Sequence, residues 1–189
     1  MSQADFGPYM ECSLALAVDL VNTRDPVDGS EDLSDVDALA TFLREHEMSD
    51  VKRPTSRDLQ EVRSLRTSLR EVFEADDEQK AVAILNQLLA SADARPVLTN
   101  HDGPWHLHYT PSGTPLGPRL AAEAAMTLSV VIAGEGFDRL RTCDGDRCVD
   151  VFIDESRNHS RRYCSPSVCG NRASVAAYRA RQKAATPPP

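Results

Sequence analysis

The segments Cys143-Asp-Gly-Asp-Arg-Cys148 and Cys164-Ser-Pro-Ser-Val-Cys169 contain four of the five cysteines, in two pairs of identical spacing. Two close thiolate pairs joined by a short connection can converge on one tetrahedral Zn²⁺, which takes four soft ligands. Such a closed site leaves no coordination position for a reacting water. The pattern therefore predicts one structural zinc and not a catalytic metal.

Two disulfide bridges are the alternative interpretation of these four cysteines. The residues after Met1 have neither a basic start nor an apolar signal core, and the apolar stretch from Ala124 to Gly134 is too short to span a bilayer. Both features favour a soluble, cytoplasmic protein with no membrane partner. In such a protein a repeated cysteine pair is more often a metal site than a pair of bridges. The fifth cysteine, Cys12, is expected to be a small core residue.

The charge of the chain divides near residue 138. The formal net charge is −8, but residues 1–138 have 11 basic and 24 acidic side chains, whereas residues 139–189 have 10 and 5. From Ser156 onward there is no acid, and the seven basic residues are Arg157, Arg161, Arg162, Arg172, Arg179, Arg181 and Lys183. A basic end on an acidic protein is typical of a nucleic-acid-binding module. We predict an acidic domain over 1–138, a four-cysteine finger over 139–184 and a disordered tail over 185–189.

Helical patterns dominate the acidic part, so the predicted fold class is mainly α. The sequences Ser34-x-x-Asp37 and Thr55-x-x-Asp58 have the form of capping boxes, and each precedes an apolar stripe at helical spacing. Pro118 suits the first turn of a further helix that stops at Gly134 or Gly136. The predicted helices cover about 34–46, 55–75, 78–90 and 118–136. Their apolar stripes require a bundle-like arrangement.

Two stretches of the acidic part are not simply helical. Residues 12–23 fit both the period of a strand and that of a helix, so both remain open. Residues 97–109 have turn chemistry at 100–104 and predict a small β-hairpin. Three histidines in this region, His101, His106 and His108, raise the question of a second metal site, although exposed polar surface is the favoured interpretation.

The four-cysteine segment predicts a treble-clef-like or ribbon-like finger. Gly145 suits a tight turn that brings two thiolates together, residues 149–153 alternate as a short strand, and residues 170–183 form a helix. A segment of this size buries little core, so the metal should supply much of its folding free energy, about 10 kcal/mol for structural zinc sites.

The helix of the finger is the predicted DNA-contacting element. Arg172, Arg179 and Lys183 recur along one side and Arg181 widens this basic stripe, while Arg161 and Arg162 are expected on phosphates. Small apolar residues are expected to dock the helix onto the finger; these are Val175, Ala176, Ala177 and Ala180. Asn171 and Arg172 have an equally weighted alternative, in which they brace the zinc site.

The finger resembles a known family. Cys164 to Arg172 has the form Cys-x4-Cys-Gly-Asn-Arg, which is similar to the CGNR zinc-finger family of bacterial proteins, as is Phe152-x-Asp154-x-Ser156. Leu16-Ala-Val-Asp-Leu-Val-Asn-Thr23 is similar to the opening of the ABATE domain, which commonly precedes that finger and is associated with stress-induced transcription regulation. The resemblance covers nearly the whole chain. It implies zinc at the four cysteines and DNA binding by the finger.

The expected function is a zinc-dependent, DNA-binding transcription regulator, with the amino-terminal domain sensing a small-molecule effector or forming a homodimer. Asn22 and Thr23 are candidate effector-binding residues, although capping of a helix end is favoured for both. We expect no enzyme, because no nucleophilic triad, phosphate-binding glycine loop or open metal motif is found. The alternative function is a zinc-stabilised protein-interaction module that does not bind DNA.

Overall fold

The computed structural model describes residues 7–48, 52–100 and 105–185, with side chains for 12–48, 52–100 and 105–182. His101, the Lys183 side chain and the tail after residue 185 lie outside the described parts. The fold is mainly α, as predicted. The elements are α1 (Gly7–Asn22), α2 (Val36–Glu45), α3 (Ser56–Phe73), α4 (Glu78–Ser91), β1 (Val97–Thr99), β2 (His106–His108), α5 (Leu116–Glu135), β3 (Leu140–Thr142), β4 (Val151–Ile153) and α6 (Asn171–Ala185).

The start of α3 follows the predicted capping box. The Thr55 hydroxyl accepts a hydrogen bond from the Asp58 N–H, and the Asp58 carboxylate accepts one from the Thr55 N–H. The box predicted at Ser34 is wrong by one residue, because the cap of α2 is Asp35, whose carboxylate accepts a hydrogen bond from the Ala38 N–H at 2.8 Å. A charged acceptor at this position also complements the positive end of the helix dipole.

Residues 12–22 belong to helix α1, which settles the ambiguity between helix and strand. Leu20 and Val21 are completely buried, and α1 packs against α3, α5 and β4. The prediction that Cys12 is a core residue is wrong, because its side chain is exposed. The helical phase places Cys12 on the same side as Ala15 and Asp19, which are exposed too.

Helix α5 lies at the centre of the bundle, against α1, α3 and α4. By length and composition alone it is apolar enough to cross a bilayer. Most of its apolar surface is buried inside the protein, including Leu120, Ala124 and Leu128 at 0% exposure, so α5 is a core helix. It ends at Glu135 and is followed by Gly136, which adopts a φ of 98° that favours glycine.

Two antiparallel hairpins complete the fold. The first pairs β1 with β2, as predicted, with Leu98 opposite Leu107. The second pairs β3 with β4 and leads into the four-cysteine segment. Leu140, Val151 and Ile153 of this second hairpin belong to the same buried cluster as the helices. The base of the finger is therefore built into the main core and is not attached by a free linker.

Candidate metal centre

The four paired cysteines converge on one point. All four Sγ atoms lie within 4.8 Å of one another, and the Cys148–Cys164 and Cys164–Cys169 sulfur distances are both 3.7 Å. A tetrahedral zinc with Zn–S bonds of 2.3 Å separates its sulfurs by about 3.8 Å, so the spacing fits this ion. All five cysteines are free thiols, which excludes the disulfide alternative.

The first cysteine pair follows β3 and encloses a tight knuckle. The Cys143 N–H donates to the Asp150 carbonyl at 2.9 Å, which continues the β3–β4 ladder up to the metal site. Gly145 donates its N–H to Cys143 Sγ at 3.3 Å. A Cβ atom at Gly145 would lie 3.3 Å from atoms of Cys143, Cys148 and Cys169, which is a tight contact, so glycine favours the close approach of these cysteines.

Cys169 of the second pair lies within a single π turn, Pro166–Gly170, that runs directly into α6. The Ser165 hydroxyl caps this turn by accepting a hydrogen bond from the Val168 N–H. The Cys164 N–H donates to Cys143 Sγ at 3.3 Å and so joins the two pairs. Cys169 therefore connects the metal centre to the start of α6.

The pKa values of the cysteine thiols show that a bound cation is needed to keep all four sulfurs deprotonated. Burial raises the pKa of the Cys148 thiol to about 12, and burial together with the Asp150 carboxyl group and the neighbouring sulfurs raises the pKa of Cys164. Burial also acts on Cys143, but N–H groups of Cys164 and Gly145 outweigh it and lower the pKa of that thiol. Four thiolates at these distances repel one another, and a divalent ion offsets that repulsion. The soft donor set fits zinc.

Family models match both parts of the chain, and they are the two families that the sequence resembles. The family described as "CGNR zinc finger" matches residues 139–182. The ABATE family, described as "Putative stress-induced transcription regulator", matches residues 14–135. The chain belongs to the ABATE family. No curated protein matches the chain significantly.

The ABATE protein thus holds one structural zinc at Cys143, Cys148, Cys164 and Cys169 of its CGNR finger. This confirms both the predicted ligand set and the predicted resemblance. Cys143 and Cys169 are buried, whereas Cys148 and Cys164 are half-buried.

A buried carboxylate organises the loop between the two cysteine pairs. Asp154 is completely buried and accepts hydrogen bonds from the N–H groups of Ser156 at 2.8 Å and Arg161 at 2.9 Å. Arg139 donates to the backbone carbonyls of Asp154 and Ser156, both at 2.6 Å. Burial raises the pKa of Asp154, but the bonds from Ser156 and Arg161 and the charge of Arg139 outweigh it, so the net shift is downward. These contacts give Asp154 and Ser156 of the Phe-x-Asp-x-Ser element a structural role in the finger.

Arg161 braces the metal centre. Its guanidinium donates to the carbonyls of Tyr163 and of the zinc ligand Cys164, and it lies 4.8 Å from the centre of the Phe152 ring. These contacts give Arg161 a structural role, and its predicted contact with phosphates stays a prediction. Arg162 is exposed and pairs with Asp144 at 2.8 Å, so its contact with DNA stays a prediction.

Helix α6 projects from the finger with little covering it. It makes its main contacts with the π turn that precedes it, and every residue from Ser174 to Gln182 is exposed. The predicted docking of Val175, Ala176, Ala177 and Ala180 onto the finger is therefore wrong. Arg172, Arg179 and Arg181 are exposed too.

Asn171 favours the structural alternative, because its side-chain amide donates to the Ser167 carbonyl at 2.9 Å. This hydrogen bond ties the start of α6 to the π turn around Cys169. Arg172 next to it is exposed and remains a candidate for DNA contact. The exposed Arg157, in the loop between the cysteine pairs, is another.

Asn22 joins the amino-terminal domain to the finger. Its side-chain amide donates to the Val151 carbonyl at 2.9 Å, and its carbonyl oxygen accepts the Val151 N–H at 2.8 Å. Arg70 adds hydrogen bonds to the Val149 carbonyl at 2.8 Å and the Val21 carbonyl at 3.1 Å. Sequence analysis missed this role, since the partner of Asn22 lies 129 positions away along the chain.

Thr23 has a different partner, at the end of α1. Its hydroxyl donates to the Leu20 carbonyl at 2.7 Å and accepts a hydrogen bond from the buried Arg66 at 2.9 Å. The first of these bonds agrees with the favoured helix-end interpretation. Asn22 and Thr23 also border an open surface cleft beside Phe42 and His46, so effector binding by them stays a prediction.

Replacing Asn22 with Ala is expected to lower the free energy of unfolding by about 2 kcal/mol. The reason is that the N–H and the carbonyl of Val151 both lose their hydrogen bond to the Asn22 side chain, at a partly buried site. Urea unfolding of the zinc-bound protein measures the effect. Asn86→Ala, on the exposed side of α4, is the matched control and should change the free energy by less than about 0.5 kcal/mol. Equal effects from the two variants would contradict the role of Asn22.

The histidines of the first hairpin form no second metal cluster with other described residues. The Nε2 atoms of His106 and His108 lie 3.0 Å apart, and both side chains are half-buried. The buried Glu123 lies 3.8 Å from Nδ1 of His108. Among the described residues, the four zinc cysteines are the one group of three or more side chains close enough to share an ion.

Proposed function

We propose that this protein is a DNA-binding transcription regulator in which the zinc centre fixes the direction of α6 and α6 contacts DNA. The observation that carries this proposal is the exposure of α6 over its described length, together with its basic side chains. A helix meant to enter a major groove must be free of packing on the side that faces the DNA. The zinc-bound π turn supplies the rigid attachment that such a helix needs.

The spacing of the basic residues supports this role. Arg172 and Arg179 are seven residues apart, so they lie on the same side of α6 at about 10 Å along its axis. Arg181 lies on nearly the opposite side of α6, so it does not widen this basic stripe as predicted. No acidic residue follows Glu155. A basic helix on a protein with an acidic body directs the DNA to the finger and away from the helical bundle.

A second function has its own supporting observation. Val168, Val175 and Tyr178 expose 46%, 48% and 56% of their surface on or beside α6, and apolar side chains contribute little to phosphate contact. A protein partner with an acidic rim and an apolar centre would also fit this helix. DNA remains the proposed ligand because all charges beyond Glu155 have one sign.

A salt titration of binding to duplex DNA tests the proposal. Five or six phosphate contacts predict a slope of about −5 for the logarithm of the affinity against the logarithm of the salt concentration. Replacing Arg172 and Arg179 together with Ala should reduce this slope by about 2 units. The matched control replaces two exposed arginines of the helical domain, Arg44 and Arg53, and should leave the slope unchanged.

Absence of DNA binding at low salt by the zinc-bound protein would contradict the proposal and favour the protein-interaction function. Zinc content measured before each titration shows that the variants keep their fold. One finger offers a small contact area for DNA, so we further propose that the protein acts as a homodimer. We also propose that it acts in the cytoplasm and has no enzymatic activity. The cleft beside Asn22 is the proposed effector site, because Asn22 also contacts the base of the finger.

A further inference from the structure

The four sulfurs of the zinc centre have different polar neighbours. Cys143 Sγ accepts hydrogen bonds from two backbone N–H groups, those of Gly145 and Cys164. Cys164 Sγ instead lies 3.3 Å from the Asp150 carboxylate. An N–H donor withdraws electron density from a thiolate, whereas a carboxylate at this distance raises the energy of the thiolate and makes it a better nucleophile.

The four cysteine residues also differ in their exposure. Cys143 and Cys169 are each 7% exposed, whereas Cys148 and Cys164 are half-buried. The accessible edge of the site is thus the Cys148–Cys164 pair, with its sulfurs 3.7 Å apart. We expect a small oxidant to react first at this edge, where the Cys164 sulfur lies beside Asp150.

We propose that Cys164 is a site of oxidation by hydroperoxides, that Cys148 closes a disulfide with it, and that Asp150 promotes the reaction. The Cys164 sulfur attacks one peroxide oxygen and breaks the O–O bond, which gives a sulfenic acid and hydroxide. The Cys148 sulfur then attacks the sulfenyl sulfur, forms the S–S bond and expels a second hydroxide. Two protons from solvent convert both hydroxides to water. The sulfurs lose two electrons, hydrogen peroxide gains them, and zinc leaves as Zn²⁺.

Loss of the zinc would release α6, because the π turn before this helix is attached to the centre through Cys169. An oxidised protein would therefore lose its DNA contact. That consequence rests on the proposed function, whereas the chemistry at the sulfurs does not. The two ideas can fail separately, since zinc release and bridge formation are measured without DNA.

The test uses the full-length, zinc-loaded protein and hydrogen peroxide. A colorimetric chelator follows zinc release, and peptide mass spectrometry after brief exposure maps the first disulfide. We expect one zinc per chain to be released and the first bridge to join Cys148 and Cys164. Because Cys12 is exposed, a Cys12→Ser version is run in parallel to remove bridges between molecules.

Asp150→Asn tests the role of the carboxylate, since it removes the charge and keeps the shape. Its zinc release by peroxide should be about fivefold slower, because the Cys164 sulfur loses an adjacent negative charge. Asp146→Asn is the matched control, as the exposed Asp146 lies in the same knuckle, and its rate should match that of the unchanged protein. Competition with a chelator should show that Asp150→Asn binds zinc at least as tightly as the unchanged protein.

An unchanged rate for Asp150→Asn would overturn the role of the carboxylate. A first bridge between any other two cysteines would overturn the assignment of Cys164 and Cys148. If Asp150→Asn fails to bind zinc, the disulfide map of the unchanged protein decides the proposal by itself.

Discussion

Removal of the zinc by a strong chelator is expected to unfold residues 143–148 and 157–185 while the helical bundle stays folded. The apolar cluster around the metal is small, with Cys143, Phe152 and Cys169 as its buried members. A cluster of this size cannot offset the conformational entropy of the finger. The zinc contributes on the order of 10 kcal/mol to such sites, so its loss exceeds the remaining stability of the finger.

The limit of this unfolding follows from the packing of the second hairpin. Val151 and Ile153 of β4 are buried in the main core with the helices, and Asn22 holds the backbone of Val151. Amide hydrogen exchange with and without chelator should therefore show loss of protection in the knuckle and α6 and retained protection in β4. Loss of protection throughout the helical bundle would contradict the prediction, as would a knuckle that stays protected without zinc.

A cysteine variant gives an independent form of the same experiment. Cys169→Ser removes one ligand and should produce the exchange pattern of the chelated protein, because three sulfurs hold zinc far more weakly than four. Cys12→Ser is the matched control, since Cys12 is exposed and does not belong to the cluster of four metal-binding cysteines. It should leave both zinc content and amide protection unchanged.

The zinc ligands and most of the helices could be predicted because they depend on local patterns. The cysteine spacing, the capping box at Thr55 and the apolar stripes each involve residues that are close in sequence. Asn22 and Arg161 could not be assigned in this way. Their partners are backbone groups whose positions are set by the tertiary fold, namely Val151 for Asn22 and the carbonyls of Tyr163 and Cys164 for Arg161.

The error at α6 has a different physical cause. The small apolar residues of α6 predict a face that packs on the finger. Alanine, however, also has the highest helix propensity and needs no packing partner. Ala176, Ala177 and Ala180 are all exposed, so they favour a helix that stands free of the finger. A free helix of 15 residues is marginal in water by itself, and attachment to the zinc centre is what gives it a defined start.

The shared core gives the amino-terminal domain a direct influence on the finger. Asn22 and Arg70 both contact backbone groups at the start of β4, and the chain from β4 leads to the loop organised by Asp154. A displacement at the end of α1 would therefore move the strand on which the zinc site is built. Asn22 also lines the cleft that we propose as the effector site, so a ligand bound there is expected to act on this contact.

Arg139→Ala is expected to lower the free energy of unfolding by about 3 kcal/mol, because buried carbonyls then lose charged hydrogen-bond donors. Arg139 is 9% exposed and bonds the carbonyls of Asp154 and Ser156, and it also pairs with Glu135 at 2.8 Å. It thereby ties the end of α5 to the loop that precedes the second cysteine pair. Urea unfolding of the zinc-bound protein measures the loss.

Arg141→Ala is the matched control for this variant, since Arg141 lies two residues further along the chain and is more exposed. It removes the same charge and should change the free energy by less than about 0.5 kcal/mol. The Arg139 variant should also release zinc to a competing chelator faster, because the loop that positions Cys164 loses its attachment to α5. Similar stability and similar zinc release in the two variants would show that the Asp154 loop is held by the metal alone and not by Arg139.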